Sequence, residues 1–536
     1  MSAAPADAEA VGQHTHQLRH VARGGAINLV GAAVASLGGF ALVALVAAQF
    51  DAHVAGQYFS LTSVFLILLA VSALGTDTGL ARFVPRYGAE GRPEAIAATI
   101  RVARVPVLWA SLAVAVVVTA TADVLAPALG LDGSRGATAL RLVALLAPVA
   151  TLSDFVLAAT RGFGQMRPTV VADRIARTLL QPLGAVAVAV LAGGLVALAW
   201  SWALPYAVSG ALGTLALVRV LRHRDVPRHV DPAVLTEVRR EFWAFTWPRS
   251  ISRVCQIALQ RVDIVVVAAL LSPTHAAAYT VATRFVPVGQ IGGAAIQQAL
   301  QPRIAHMLAL HQHDDAERVF RTATAWSVLT TWPVYCGVAV ASAVYLSIFG
   351  DEYVTTQAVT TVVVMAVAMM GAVAAGALDT MLLMAGRSTT SLVNAGSALV
   401  VDVVLCLVLV PVWGITGAAA AWAASVALRN ALGFVQVRRA LGMTPGSAQL
   451  LRAAAANVAC FVVPGLVAVL VGAHALVLLG VLALGGVTYL LVLRRWRREL
   501  SLDLVLHALR RRPAVTAADT VADAPEVATA SSGRKP

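Results

Sequence analysis

Residues 473–493 read AHALVLLGVLALGGVTYLLVL, and Arg494, Arg495, Trp496, Arg497 and Arg498 follow at once. About 20 apolar residues in a helix cross the hydrocarbon core of a bilayer, and arginines gathered at one end hold that end on the inner side. The stretch is therefore a membrane span with a basic anchor. Working back along the chain, runs of the same kind recur near 25–49, 56–79, 103–122, 138–160, 171–192, 194–218, 243–271, 277–302, 322–348, 357–385, 388–410, 414–437 and 449–471. They predict an all-α polytopic membrane protein with about fourteen transmembrane helices, here numbered spans 1 to 14.

The positive charge alternates from one connection to the next. Connections after even-numbered spans carry Arg82, Arg86, Arg92 and Arg101, then Arg161 and Arg167, then a run from Arg219 to Arg240, then Arg303, Arg318 and Arg321, then Arg387, then Arg438 and Arg439. Connections after odd-numbered spans are short and, Arg135 and Arg141 apart, carry no Lys or Arg. The expected location is the cytoplasmic membrane, with both termini inside.

Composition narrows the function classes. At 59% hydrophobic and 12% charged residues over 536 positions, the chain has too much apolar surface for a soluble globule. The net charge of +13 is dealt out loop by loop rather than gathered on one face, which argues against nucleic acid as a partner. Cys255, Cys336, Cys406 and Cys460 all fall in spans without ligand spacing and read as small buried apolar groups. His14, His16 and His20 belong to a polar N-terminal stretch, residues 1–23, that lacks the features of a cleaved signal peptide. No phosphate-binding Gly-Lys-Ser/Thr loop occurs. Neither a metal nor another cofactor is expected.

The chain also repeats itself. Arg101 and Arg321 precede spans 3 and 9, Gly130 and Gly350 follow them, and Arg167 and Arg387 open the entries to spans 5 and 11, each pair 220 residues apart. Tyr58 and Tyr279 open spans 2 and 8 at nearly the same offset. Six spans per copy is an even number, so both copies enter the membrane from one side and are parallel repeats, a plan that places a substrate site between them. The expected organisation is an N-lobe over 24–218, a basic linker over 219–242, a C-lobe over 243–438, spans 13 and 14 over 439–493, and a cytoplasmic tail over 494–536.

Polar residues at membrane depth mark the candidate site, because they face a cavity or a partner rather than lipid. On span 7, Arg249, Arg253, Gln256, Gln260 and Asp263 are spaced 4, 3, 4 and 3, which on an unbroken helix keeps them on one face. Span 8 adds Thr283, Arg284, Gln290, Gln297 and Gln301. The first half offers Asp77, Asp154 with Arg161, and Arg174 with Gln181; the second adds Asp379, Asn394 and Asp402. The substrate-cavity set is therefore Arg249, Arg253, Gln256, Gln260, Asp263, Arg284, Gln290, Gln297, Asp154 and Arg174. Candidates for ion coupling are Asp77, Asp154, Asp263 and Asp379. Arg82, Arg86, Arg161 and Arg303 read as topology anchors, and Asp173 with Arg177 as a structural i, i+4 ion pair.

Thr76-Asp77-Thr78-Gly79-Leu80-Ala81-Arg82-Phe83-Val84-Pro85-Arg86-Tyr87, Ile348-Phe349-Gly350-Asp351-Glu352-Tyr353 and Met384-Ala385-Gly386-Arg387 resemble the polysaccharide-transporter (Wzx-type flippase) branch of the multidrug/oligosaccharidyl-lipid/polysaccharide exporter superfamily. The resemblance extends over about residues 20 to 495. It implies two six-helix lobes in a V, with spans 13 and 14 appended. It also implies translocation of an undecaprenyl-diphosphate-linked oligosaccharide across the cytoplasmic membrane by alternating access, driven by H+ or Na+ or by membrane potential. Other proteins of glycan assembly, cytoplasmic or in the membrane, would be partners. A diphosphate suits arginine, and Gln and Thr suit sugar hydroxyls. MurJ-type lipid II flippases and multidrug antiporters of the same superfamily are the alternatives, although span 1 lacks the carboxylate that ion-coupled drug exporters place there. A membrane glycan polymerase or glycosyltransferase would usually present carboxylates in sizeable outer loops, whereas here the outer loops are a few residues long apart from the stretch around 123–137 with Asp123 and Asp132, so the protein reads as a transporter and not an enzyme. After span 14 the basic run, with leucines from Leu500 to Leu509, reads as a helix on the anionic inner leaflet or as a docking segment, and the sequence from Pro513 onward as disordered.

Overall fold

The computed structural model describes residues 30–500, apart from 132, 228 and 498. The polar N-terminal stretch with its three histidines, and the tail beyond 500, lie outside the described residues.

Among the described residues every regular element is helical. Ten helices are long and apolar enough to cross a membrane: Val30–Gln49, Ala52–Ala89, Pro93–Ala120, Gly133–Gly162, Leu195–His223, Thr356–Met384, Ser388–Trp413, Ile415–Leu441, Ala448–Leu470 and Ala475–Arg495. They coincide with ten of the fourteen expected spans. The expected spans 5, 7, 8 and 9 are helical too, yet fall short of that requirement for a physical reason. Span 5 opens as a π-helix, Thr169–Arg177, carrying Asp173, Arg174 and Arg177. Spans 7 and 8 are each broken in two, into Pro232–Leu259 with Val262–Leu270 and Pro273–Thr283 with Phe285–Ala309. Span 9, His313–Val340, is diluted by threonines and serines whose hydroxyls donate back to carbonyls one turn earlier, as Thr324, Ser327 and Thr331 do.

Large apolar side chains point outward over much of the surface. Leu470, Leu476 and Val471 are 84%, 83% and 79% exposed, a degree that only lipid makes tolerable. The duplication shows in the helix starts. Pro273 lies 221 residues after Ala52, His313 220 after Pro93, Ser388 219 after Thr169, and Ile415 220 after Leu195.

The linker is shorter than hydropathy indicates. Span 6 stays helical to His223 and span 7 begins at Pro232, leaving only residues 224–231 between them. Asp231 caps the new helix by accepting from Ala233 N at 2.8 Å, and Pro232 suits the first helical position, where no N–H is needed. Arginines and glutamates near both ends hid these turns from an apolarity criterion, although helix ends in the headgroup region carry such residues readily.

The apolar cores show how the two halves meet. One large cluster draws on both: Val46, Phe65, Leu140 and Trp202 from the first half pack in the same body as Val267, Tyr279, Phe349 and Met365 from the second. At the arginine-rich end the cores are separate. Leu80, Phe83, Val102 and Phe155 pack with Val238 and Phe242, whereas Ile304, Phe320, Met381 and Val437 form a cluster of their own. The halves are thus joined away from the arginine-rich end, while toward it span 7 stays packed on spans 2 to 4 of the first half and spans 8, 9, 10 and 12 form a core apart. Two glycines make the joint close: a Cβ on Gly56 would stand 1.7 Å from the Pro273 carbonyl oxygen, and one on Gly130 would stand 2.7 Å from that of Ala268. Phe40 seals the same seam edge-on against Phe349, with ring centroids 5.3 Å apart. Spans 13 and 14 lean on span 9, where Tyr489 donates to the Leu329 carbonyl at 2.8 Å.

Candidate substrate cavity

Three helix breaks in the second half converge on one space. In span 7 the helix stops at Leu259, turns through Gln260 and Arg261, and resumes at Val262. The turn is tight, with Gln260 N donating to Ile257 O and Arg261 N to Ala258 O, at 3.1 and 2.9 Å. In span 8 the break falls at Arg284, three residues before Pro287, whose missing N–H leaves the Thr283 carbonyl without its helical donor. In span 10 the helix is interrupted at 375–377, where Gly376 takes φ +81° against Thr324 and the Phe320 ring. Irregular backbone at membrane depth is tolerable only inside the protein or beside a polar space. All three breaks line one cavity of about 820 Å³.

The breaks aim charge inward. Arg261, Arg284 and Arg429 line the cavity with Asp263 and Asp379. Arg429 donates to Asp379 at 3.2 Å, and the Ser391 hydroxyl donates to the same carboxylate at 2.5 Å. Arg261 and Arg284 have no ion pair among the described residues and stand close enough to repel one another. Arg284 also crosses the seam, donating through Nε to the Gly39 carbonyl of span 1 at 3.1 Å. Two neighbouring guanidinium groups, Arg284 with no carboxylate near it and Arg261 with only Asp263 close by and not in ion-pair contact, make a receptor for a multiply charged anion. Gln256, Gln260, Gln290, Gln297, Thr283 and Asn430 supply amides and hydroxyls around them, and Trp422 an aromatic face.

Beside this space lies a pair of buried carboxylates. Asp263 is 4% exposed and Asp402 is fully buried. Tyr279 donates to Asp263 Oδ2 at 2.6 Å, but Asp263 Oδ1 and both oxygens of Asp402 have no hydrogen-bond partner among the described residues. The neighbouring Ser425 hydroxyl donates instead to the Ala421 carbonyl, and the two carboxylates repel each other electrostatically.

Of the residues proposed from sequence, Gln256, Gln260, Asp263, Arg284, Gln290, Gln297 and Asp379 line the cavity. Arg249, Arg253, Asp154, Arg174 and Asp77 do not. The unbroken stripe expected on span 7 is divided by the turn at Gln260. Arg253 is exposed, and Arg249 packs over the Phe245 ring at 4.8 Å with Arg82 at 4.1 Å from the same ring. Asp154 sits in a polar cluster within the first half, near Arg161 and Arg177, and Asp173 pairs with Arg177 at 2.6 Å as expected. Arg174 lies over Gly31 of span 1. Arg261 and Arg429 were missed. Arg261 falls off the stripe until the helix breaks, and Arg429 stands fifteen residues into expected span 12, where an arginine at that depth was itself the signal.

The sequence matches the family described as polysaccharide biosynthesis protein over residues 21–308, and the MatE family over residues 248–408. Among curated proteins none matches. The fold is similar to a solved lipid II flippase, MurJ, in an inward closed conformation, at a TM-score of 0.69 and 12% identity over 88% of this chain and 98% of that one. It is also similar to an inward-facing multidrug resistance transporter of the MATE family, at 0.64 and 14% over 76% and 94%. A third likeness is to a transporter of the same superfamily from Pyrococcus furiosus, at 0.58 and 14% over 79% and 95%. At such identities these likenesses carry the fold alone. With the family match, which covers more than half of the chain, they make this a multi-pass membrane transporter. The chain belongs to the polysaccharide biosynthesis protein family, within the multidrug/oligosaccharidyl-lipid/polysaccharide exporter superfamily.

Proposed function

We propose that the protein carries an undecaprenyl-diphosphate-linked oligosaccharide from the cytoplasmic to the outer leaflet by rocking its two halves about the apolar seam. The observation that carries this reading is the neighbouring pair Arg261 and Arg284, neither held in an ion pair among the described residues, in a cavity ringed by amides and hydroxyls. A diphosphate fits the guanidinium pair, the first sugars fit the amide ring, and the lipid tail stays in the bilayer. Membership of a polysaccharide biosynthesis family supports the same cargo. The separation of the core of spans 8, 9, 10 and 12 from the one that span 7 shares with the first half supports a cavity mouth at the arginine-rich end, on the side where a cytoplasmic substrate would enter.

Depleting the protein should trap radiolabelled lipid-linked oligosaccharide on the cytoplasmic leaflet. Short unpolymerised glycan on the outside would point instead to a polymerase, and accumulation of neither would remove the glycan reading. Lipid II is the second candidate cargo, favoured by the fold likeness to its flippase over nearly all of that chain; accumulation of lipid II alone would select it.

The orientation follows from the charge alternation, with the arginine-rich connections and both termini in the cytoplasm. A single cysteine at Asp351 or Gly472 should then react with an impermeant thiol reagent in intact cells, and one at Arg224 or Arg439 only after permeabilisation. Labelling of position 224 from outside would invert the assignment.

A further inference from the structure

A second cleft, of about 740 Å³, opens between the start of span 5 and the end of span 6, apart from the central cavity. One wall is a face of span 6 on which Leu212, Ala216, Arg219 and His223 follow at i, i+4, i+7 and i+11. The other is the span 4 to span 5 connection, with Arg167 and then Val171 on the first turn of the π-helix. The cleft is amphipathic along its depth. Arg167, Arg219 and Arg222 crown it, while Leu212 and Val171, 42% and 56% exposed, line it below. The seven residue steps from Arg219 back to Leu212 span roughly 10 Å of helix, enough to reach from headgroups into hydrocarbon.

The charge of this crown is not answered from within the protein. No Asp or Glu lines the cleft, and Arg167, Arg219 and Arg222 make no ion pair among the described residues. Basic residues elsewhere do find carboxylates: Arg86 meets Glu90 and Glu241, Arg92 meets Glu237, Arg321 meets Glu317, and Arg452 meets Glu499. Three cations above an apolar slot match an amphiphile with an anionic head and an acyl chain, and basic pockets between helices at the inner leaflet hold such lipids.

We propose that this cleft is a binding site for an anionic phospholipid of the leaflet that meets the arginine-rich face, its phosphodiester held by Arg167, Arg219 and Arg222 and one acyl chain laid along Val171 and Leu212. The lipid would bridge the start of span 5 to the end of span 6, so the site ties the transporter to the charge of its membrane.

The test is native mass spectrometry of the delipidated full-length protein titrated with phosphatidylglycerol, with phosphatidylcholine of the same chains and with glycerol 3-phosphate. The wild type should retain phosphatidylglycerol in preference to both. Arg167→Gln/Arg219→Gln/Arg222→Gln should weaken that retention by roughly a hundredfold, from about fivefold per arginine. Arg101→Gln/Arg239→Gln/Arg240→Gln, which removes the same charge elsewhere, should leave it unchanged. Leu212→Trp fills the slot without touching the arginines and should also expel the lipid, which keeps the test decisive if the triple variant misfolds. Equal retention by wild type and the Arg167/Arg219/Arg222 variant would overturn the proposal. So would equal loss in the charge control, or displacement of the lipid by glycerol 3-phosphate at matched concentration.

Discussion

Replacing Arg284 with alanine is expected to lower transport by about a hundredfold at matched expression, the loss of roughly 3 kcal/mol that one charge-assisted guanidinium contact with a diphosphate supplies. Arg284 lines the cavity, stands beside Arg261, and is held across the seam by its bond to the Gly39 carbonyl. Its guanidinium therefore has a fixed direction before any cargo arrives, and a ligand gains its contact without ordering a free side chain. Arg284→Lys keeps the charge but loses the planar fork and the Nε bond, so partial recovery is expected. Arg261→Ala should reproduce the defect, whereas Arg253→Ala, at an exposed site outside the cavity, should stay within about threefold of wild type. The measurement is lipid-linked glycan flipping in proteoliposomes, with initial rates taken over a range of cargo. A rise in half-saturating cargo marks a binding role. A uniform fall in rate with unchanged half-saturation would make Arg284 a brace of the seam only, and full activity of Arg284→Ala would remove it from the site.

The difference between Arg253 and Arg261 shows how far the sequence could be read. Span placement and charge alternation depend on counting apolar residues and arginines, which local sequence states directly, so the helical membrane class and most helix positions were legible. Facing directions within a span depend on the helix being continuous. The stripe from Arg249 to Asp263 assumed 100° per residue across a turn at Gln260 that resets the angle, so Arg261 came in, whereas Arg249 and Arg253 precede the turn and lie outside the cavity, nearer the arginine-rich end than Gln256 on the same helix. Pro287 announced the break beside Arg284, but no proline announces the one at Gln260, where the polar run Gln260-Arg261-Val262-Asp263 was the only trace. The Asp379 and Arg429 pair joins residues 50 apart on different spans, and nothing local encodes that meeting. The closed seam was legible only in part. Gly56 carries no signal in sequence and Gly130 stood out only as a marker of the repeat, and their role needs the carbonyls of Pro273 and Ala268 to arrive from the other half.

Asp402→Asn, and separately Asp263→Asn, are expected to uncouple transport from its driving ion while leaving the fold in place. Burying a carboxylate without a hydrogen-bond donor or a counter-charge costs several kcal/mol, so Asp402, with a second, only partly answered carboxylate at Asp263 beside it, needs a proton or a small cation to stay buried. Asp402 is fully buried with both oxygens unpartnered, and Asp263 spends only one oxygen on Tyr279. No guanidinium pairs with either among the described residues, which leaves a monovalent ion as the partner that fits. Asp263 also lines the cavity beside Arg261 and sits just beyond the turn of span 7, so filling the pair changes the charge and packing at the same joint that positions the cargo cation. In proteoliposomes, wild-type flipping should rise with an imposed Na+ or H+ gradient of the right sign, and the ion that acts identifies the coupling species. Each Asn variant should flip at a rate that ignores the gradient, about tenfold or more below the driven wild type. Asparagine preserves volume and removes the need for an ion, so thermal stability should be kept or raised. Tyr279→Phe frees the second oxygen of Asp263 and should shift the ion concentration for half-maximal rate without abolishing the response. A gradient response that survives in both Asn variants would take the coupling site away from this pair and return it to the first-half cluster around Asp154.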